Sequence, residues 1–389
     1  MNRNLWLLTI CQGLFLTNNV TFIAINGLVG LSLAPLGWMA TLPVMAYVVG
    51  GALSTGLVAQ TQRRFGRKAS FQLGLLVGLA SALLCCYAAY SRNFWLLVTA
   101  TLVAGYYNAN AQLYRFAAAE LALPGFREQA ISLVMAGGLL GAVAGPNLAS
   151  STRSLTAVPF AGAYLALAGV ALLAMALLAF IHFPPPPPQH ASGGGRPLSE
   201  IMRQPVFIVA AAAGALGYGV MNLLMAATPI AMQVCGLPFS SVAWVLEWHV
   251  IGMFAPGFFT GHLIKRYGTL TVMATGLALN VACVLVALSG VEFRQFLVAL
   301  FLLGLGWNFL FTGATTLALT AYRPEEKDKA QGALNFCVFA ALAVSSLASG
   351  VLVTTQGWAL LNLGSLLPLS LTALALGWLG LQQRRLRKA

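Results

Sequence analysis

Charge is what this chain lacks. Only 7% of its 389 residues are Asp, Glu, Lys or Arg, and just 8 of them are acidic. Soluble domains carry about 25% charged residues, so little of this surface is built to face water. Hydrophobic residues at 59% and a mean hydropathy of +0.84 put lipid in water's place. Other scarcities exclude activities. The six cysteines (Cys11, Cys85, Cys86, Cys235, Cys283 and Cys337) sit in or at the edge of apolar runs. They have neither metal-ligand nor disulfide-framework spacing, and read as small apolar packing residues. No phosphate-binding glycine loop with its lysine, no metal cluster and no separate catalytic domain is visible. The expectation is therefore neither an enzyme nor an ATP-driven pump, and no cofactor.

Long apolar runs are what the chain has instead. Twelve can cross a hydrocarbon core of about 30 Å as helix. They cover 5–29, 36–60, 69–90, 93–117, 128–150 and 157–182, then 206–234, 240–264, 269–289, 294–319, 329–354 and 357–381. Only Arg3 precedes the first run, which outlasts a signal-peptide core and lacks a cleavage site, so it reads as a retained span. Between the sixth and seventh runs lie the prolines 184–188 and the glycines 193–195, which can continue no helix. This divides the chain into 1–183, a linker 184–204 and 205–389.

The net charge of +13 points to membrane orientation rather than to nucleic acid. With the N-terminus inside, 17 of the 21 Lys and Arg fall in cytoplasmic segments; only Arg92, Arg153 and Arg294 fall outside, and Arg115 lies near a helix end. That is the positive-inside pattern, and the expectation is an inner or plasma membrane with both termini cytoplasmic.

The basic loops also repeat. Arg63-Arg64-Phe65-Gly66 returns as Lys265-Arg266-Tyr267-Gly268, and the segment 126–130 returns as 326–330. Two matched loops at nearly one offset, in one orientation, mark parallel repeats about an axis along the membrane normal. At this point the chain resembles the major facilitator superfamily. The family's loop between its second and third helices reads Gly-x-Leu-Ala-Asp-Arg-x-Gly-Arg-Lys. Arg64, Gly66, Arg67 and Lys68 fit it, while Ala59 and Arg63 replace the first glycine and the aspartate. The second copy fits at Gly261, Leu263, Arg266 and Gly268, with Lys265 at the acidic position. Glu120 and Arg127 match the family's acid and arginine after helix four. The resemblance implies an all-α integral membrane fold of twelve helices in two six-helix halves, and a monomeric secondary transporter working by alternating access. It also implies a cytoplasmic gate drawing on Arg63, Arg64, Gly66, Arg67, Glu120, Arg127 and Arg266. With the aspartates replaced, Glu120 is expected to pair with Arg63, Arg64 or Arg67. In span five, Gly137, Gly141 and Gly145 share a helix face, as close packing or a drug-antiporter motif would require.

Seven of the eight acids occupy loops or helix ends; Glu247 lies inside span eight. A charge within hydrocarbon costs several kcal/mol unless paired, neutralised or facing water, so Glu247 is a candidate for proton coupling, with His249 two residues on. Span four carries Tyr107, Asn108 and Gln112 at helical spacing. Similar amide or ring clusters are Asn18 and Asn19, Tyr218 and Asn222, Trp244 and Trp248, Trp307 and Asn308, and Asn335. The resemblance places spans one, four, seven and ten on the pathway. Amides and rings with few fixed charges suit a small organic solute such as a vitamin or nutrient, moved with or against protons. Direction, uptake or efflux, stays open, and a lipid flippase on the same fold is the competing expectation.

Overall fold

The computed structural model describes residues 3–36, 39, 42–123, 125–184 and 195–388, and every regular element among them is helical. In the first half these are α1 (Arg3–Leu33), α2 (Leu42–Tyr90), α3 (Phe94–Ala111), α4 (Tyr114–Leu121), α5 (Arg127–Ala136), α6 (Gly138–Thr152) and α7 (Ala161–Ala179). After a short α8 (Leu198–Met202) follow α9 (Pro205–Val234), α10 (Phe239–Phe254), α11 (Gly257–Tyr267), α12 (Thr269–Leu288), α13 (Phe293–Ala318), α14 (Lys327–Thr355) and α15 (Gly357–Lys388). Linker residues 185–194 lie outside the described set.

Nine described helices are long and apolar enough to cross a membrane. The difference from twelve runs has local causes. α2 holds spans two and three, merged across Gly66. Span four divides into α3 and α4 after its Tyr and Asn residues, and span eight into α10 and α11 at Ala255-Pro256. The repeated motif recurs in backbone as well as sequence. Gly66 sits at φ 79° and Gly268 at φ 84°, a region that L side chains avoid. Each glycine reverses the chain between two spans.

Apolar residues run round the helices instead of forming one stripe, as in helices with protein on one side and lipid on the other. In α2, Val58 is buried while Leu53 and Leu57 are exposed. The chain forms two compact units. Unit 1 comprises 1–130, 137–190 and 331–339; unit 2 comprises 131–136, 191–330 and 340–389. The two short stretches taken from the opposite half follow directly on the repeated segments 126–130 and 326–330. Small residues admit them. A Cβ on Gly332 would stand 3.2 Å from the Ala59 Cβ in unit 1, and one on Gly257 would stand 2.7 Å from the Ser132 carbonyl in unit 2.

Elsewhere in unit 1, a Cβ on Gly105 would fall 2.2 Å from the Gly51 nitrogen, so α2 and α3 cross with backbones touching. The span-five glycines do the same against α1: a Cβ on Gly141 would meet Leu16 at 2.5 Å. The buried cluster includes Phe22, Ile25, Tyr47, Tyr164 and Leu167, with alanines between them.

Candidate functional site

Unit 1 gathers its polar side chains at the C-terminal turns of α3. Tyr106 and Asn110 face the α2 hairpin. Tyr106 Oη lies 3.0 Å from Thr61 Oγ1, which lies 3.1 Å from Ser70 Oγ. Ser70 donates to Asn110 Oδ1 at 3.0 Å, and Gln62 donates to the same atom at 3.4 Å. Gln62 Oε1 in turn accepts from Arg67 Nη1. Arg67, only 3% exposed, then donates from Nε and Nη2 to the two Glu120 oxygens at 3.2 and 2.6 Å, and from Nη2 to Gln331 Oε1 at 2.7 Å. Among the motif arginines, Arg63 and Arg64 are exposed, with Arg64 over the Phe65 ring. Arg127 and Arg266 are also exposed, and Arg266 lies over Tyr267.

Tyr107 and Asn108 turn away from this network. Both are buried, and the Tyr107 ring meets Phe15 edge-on at 5.6 Å. The Tyr107 hydroxyl and the Asn108 carbonyl oxygen have no protein partner. Buried polar atoms normally find one, so the Tyr107 hydroxyl can donate to or accept from a solute or water, and Asn108 Oδ1 can accept from one. Gln112 and Asn19 are half-buried, and Asn18 donates to the Leu167 carbonyl at 3.4 Å. Asn335 accepts from Arg115 Nη2 at 2.7 Å, with the Arg115 guanidinium 4.9 Å from the Phe116 ring centroid.

Unit 2 is organised around Trp307, which is 1% exposed. Its ring stacks on Phe311 at 5.0 Å and takes Tyr218 and Phe254 edge-on at 5.1 and 5.7 Å. Its indole nitrogen has no protein partner. Tyr218 is half-buried; one turn further along α9, Asn222 donates to Ser345 and Ser346 at 2.9 Å each. Asn308 is fully engaged in packing: it accepts from Thr260 at 2.7 Å and donates to the Met253 carbonyl at 2.6 Å. On α10, Glu247, Trp244 and Trp248 are exposed, whereas His249 is buried with Nδ1 2.7 Å from the Leu300 carbonyl and Nε2 without a protein partner. Glu247 and His249 therefore occupy different faces.

One acid expected in an ordinary loop position is buried. Glu326 is 0% exposed, and its carboxylate accepts from Arg196 Nη2 at 2.7 Å, Arg196 Nε at 3.0 Å, and the backbone amides of Arg196 and Arg323 at 2.7 and 2.9 Å. Lys329 donates to the Arg196 carbonyl. The Arg196 hydrogen bonds, reinforced by those two amides, hold the Glu326 carboxyl at about 2, well below the ordinary carboxylate range. Sequence reasoning missed this clamp, and the Gln62–Asn110–Ser70 network, because both are long-range. The one available signal for the latter was the run of amides and hydroxyls flanking the motif loop.

A family model described as Major Facilitator Superfamily matches residues 5–255 and 211–389. The riboflavin transporter RfnT of Brucella anthropi is 40% identical over 363 residues, covering 92% of this chain and 91% of that protein. Among solved structures, the human organic anion transporter MFSD10 superposes with a TM-score of 0.75 at 16% identity, over 96% of this chain and all of that one. The transporter FucP, in its outward conformation, gives 0.76 at 15% identity, over 96% of this chain and 98% of its own.

Proposed function

From the premise that this chain belongs to the Major Facilitator Superfamily, as a multi-pass membrane carrier of a small solute rather than an enzyme, we propose that its substrate is riboflavin or a closely related flavin. The observation that carries this is the 40% identity to a riboflavin transporter along nearly the full length of both chains. The side chains suit such a solute. An isoalloxazine ring is flat and apolar on its faces, and its rim carries hydrogen-bonding groups. Unit 1 offers Tyr107, Asn108 and Gln112, with the Phe15 ring beside Tyr107. Unit 2 offers Tyr218 and Asn222 on one face of α9, with Tyr218 held against Trp307. Aromatic pairs of this kind contribute about 0.5–1.5 kcal/mol beyond area burial. The riboflavin transporter RfnT, at 40% identity, favours this reading over a lipid flippase on the same fold.

Transport proceeds by alternating access, coupled to protons through Glu247 with His249 nearby on α10. An exposed acid inside an otherwise apolar helix is the support for that assignment. Arg67 and Glu120, with Arg63, Arg64 and Arg127 of unit 1 and Arg266 in the matching loop of unit 2, serve the gate at the cytoplasmic side. The bias of basic residues supports a plasma-membrane protein with both termini inside. Riboflavin fluoresces, which gives a direct test. Titrating purified protein into riboflavin should quench its emission saturably, and Tyr218→Ala and Asn108→Ala should each weaken the binding. Absence of saturable quenching by the wild type would remove the flavin assignment.

A further inference from the structure

Unit 2 carries a groove that the transport reading does not use. It encloses about 850 Å³ between α11, α12, α13 and α15. The two long helices run antiparallel beside it, since the Trp358 indole at the start of α15 donates to the Ala287 carbonyl at the end of α12 at 3.3 Å. The groove therefore has two chemically different ends. Tyr267, Thr320 and Gln383 line one, and Leu277, Ala373 and Leu376 line the other. From Ala373 to Gln383 the helical rise spans about 15 Å.

The polar end is basic. Arg266 lies over the lining ring of Tyr267, 5.3 Å from its centroid, and is exposed. Exposed Arg323 follows Thr320 by three residues. None of the lining residues is acidic. The apolar end is open because its α15 wall is small: a Cβ on Gly377 or Gly380 would meet no atom within 4 Å. Those two glycines thus leave a slot on the outer face of an otherwise apolar helix.

A slot with cations at one end and aliphatic walls along its length matches an anionic lipid. We propose that it holds one anionic phospholipid in the leaflet on the basic-loop side, its phosphate against Arg266 and an acyl chain along Leu277 and Leu376. The lipid is a bound partner, not cargo. Basic side chains at a membrane surface each favour anionic lipid by about fivefold in affinity.

The test uses the full chain, delipidated in detergent and supplied with phosphatidylglycerol or phosphatidylcholine. Retention is read by native mass spectrometry and thermal stability by unfolding. Phosphatidylglycerol should be retained and should raise the Tm more than phosphatidylcholine does. The variant Arg266→Gln should bind it about fivefold more weakly. Gly377→Leu, whose Cβ would meet no atom within 4 Å, should abolish the preference with the charges intact. Equal effects of the two lipids would overturn the proposal, as would a phosphatidylglycerol effect that survives both variants. A dimer that Gly377→Leu dissociates would also overturn it and give the groove to a second copy. None of these readouts depends on which solute is transported.

Discussion

Glu120→Gln is the most informative single change in unit 1, because it keeps shape and removes charge. The wild-type carboxylate accepts two bonds from Arg67, at 2.6 and 3.2 Å, with Arg67 3% and Glu120 20% exposed. A glutamine presents one oxygen and one NH2 group, so one of the two bonds becomes donor against donor. Fully exposed pairs contribute about 0.2–1 kcal/mol, whereas removing one partner of a buried pair costs about 3–5 kcal/mol. A buried arginine against a one-fifth exposed acid belongs between them, at about 2 kcal/mol. At roughly 2–4 °C per kcal/mol for a unit of this size, the Tm should fall by about 4–8 °C. The chain contains its own reporter, since Cys11, Cys85, Cys86 and Cys283 are buried thiols that a thiol-reactive dye labels only on unfolding. Gln331→Ala, which removes a single bond to the same guanidinium, should cost about 1–2 kcal/mol, and in the double variant the two losses should not add. A Glu120→Gln protein as stable as wild type would refute the buried ion pair and the gate built on it.

Other perturbations follow from the same geometry. Gly66→Ala and Gly268→Ala each force a Cβ into the left-handed region and should lower stability by about 1–2 kcal/mol apiece, measured with the same dye. Glu247→Gln should flatten the pH dependence of transport while leaving the fold intact; unchanged pH dependence removes the proton-coupling role. The Glu326 clamp carries a clear sign. Its carboxyl pKa is depressed in the folded state, to about 2, so its stabilisation is complete above the ordinary carboxylate pKa and is lost as pH falls from there toward 2. The Tm gap between wild type and Glu326→Gln should accordingly be constant from pH 8 to about pH 5 and narrow below that. A gap that widens in acid would contradict the assignment.

Much of the architecture was legible because membrane solvent leaves few options for the backbone. Apolar runs became helices, and the repeated Arg-Phe-Gly and Arg-Tyr-Gly turns share one positive-φ glycine conformation. Side-chain roles were less legible, since helical spacing tells which residues share a face and not what that face meets. Tyr106 and Asn110 neighbour Tyr107 and Asn108 in the sequence, yet only the structure shows the first pair absorbed by Thr61, Gln62 and Ser70. Asn308 has the same composition signal as Asn222, but Thr260 and a Met253 carbonyl occupy both ends of its amide. Glu326 reads as a loop acid until Arg196 of the linker, 130 residues away, closes over it. Nor does any local pattern foretell that 331–339 packs into unit 1 and 131–136 into unit 2.

The measurement that bears most directly on the central claim is riboflavin entry into proteoliposomes containing the purified chain, followed by fluorescence with and without an imposed pH gradient. The account predicts saturable flux above that of protein-free vesicles, altered by the gradient and competed by flavins but not by ribitol. Flux no greater than in protein-free vesicles, under either gradient, would contradict it.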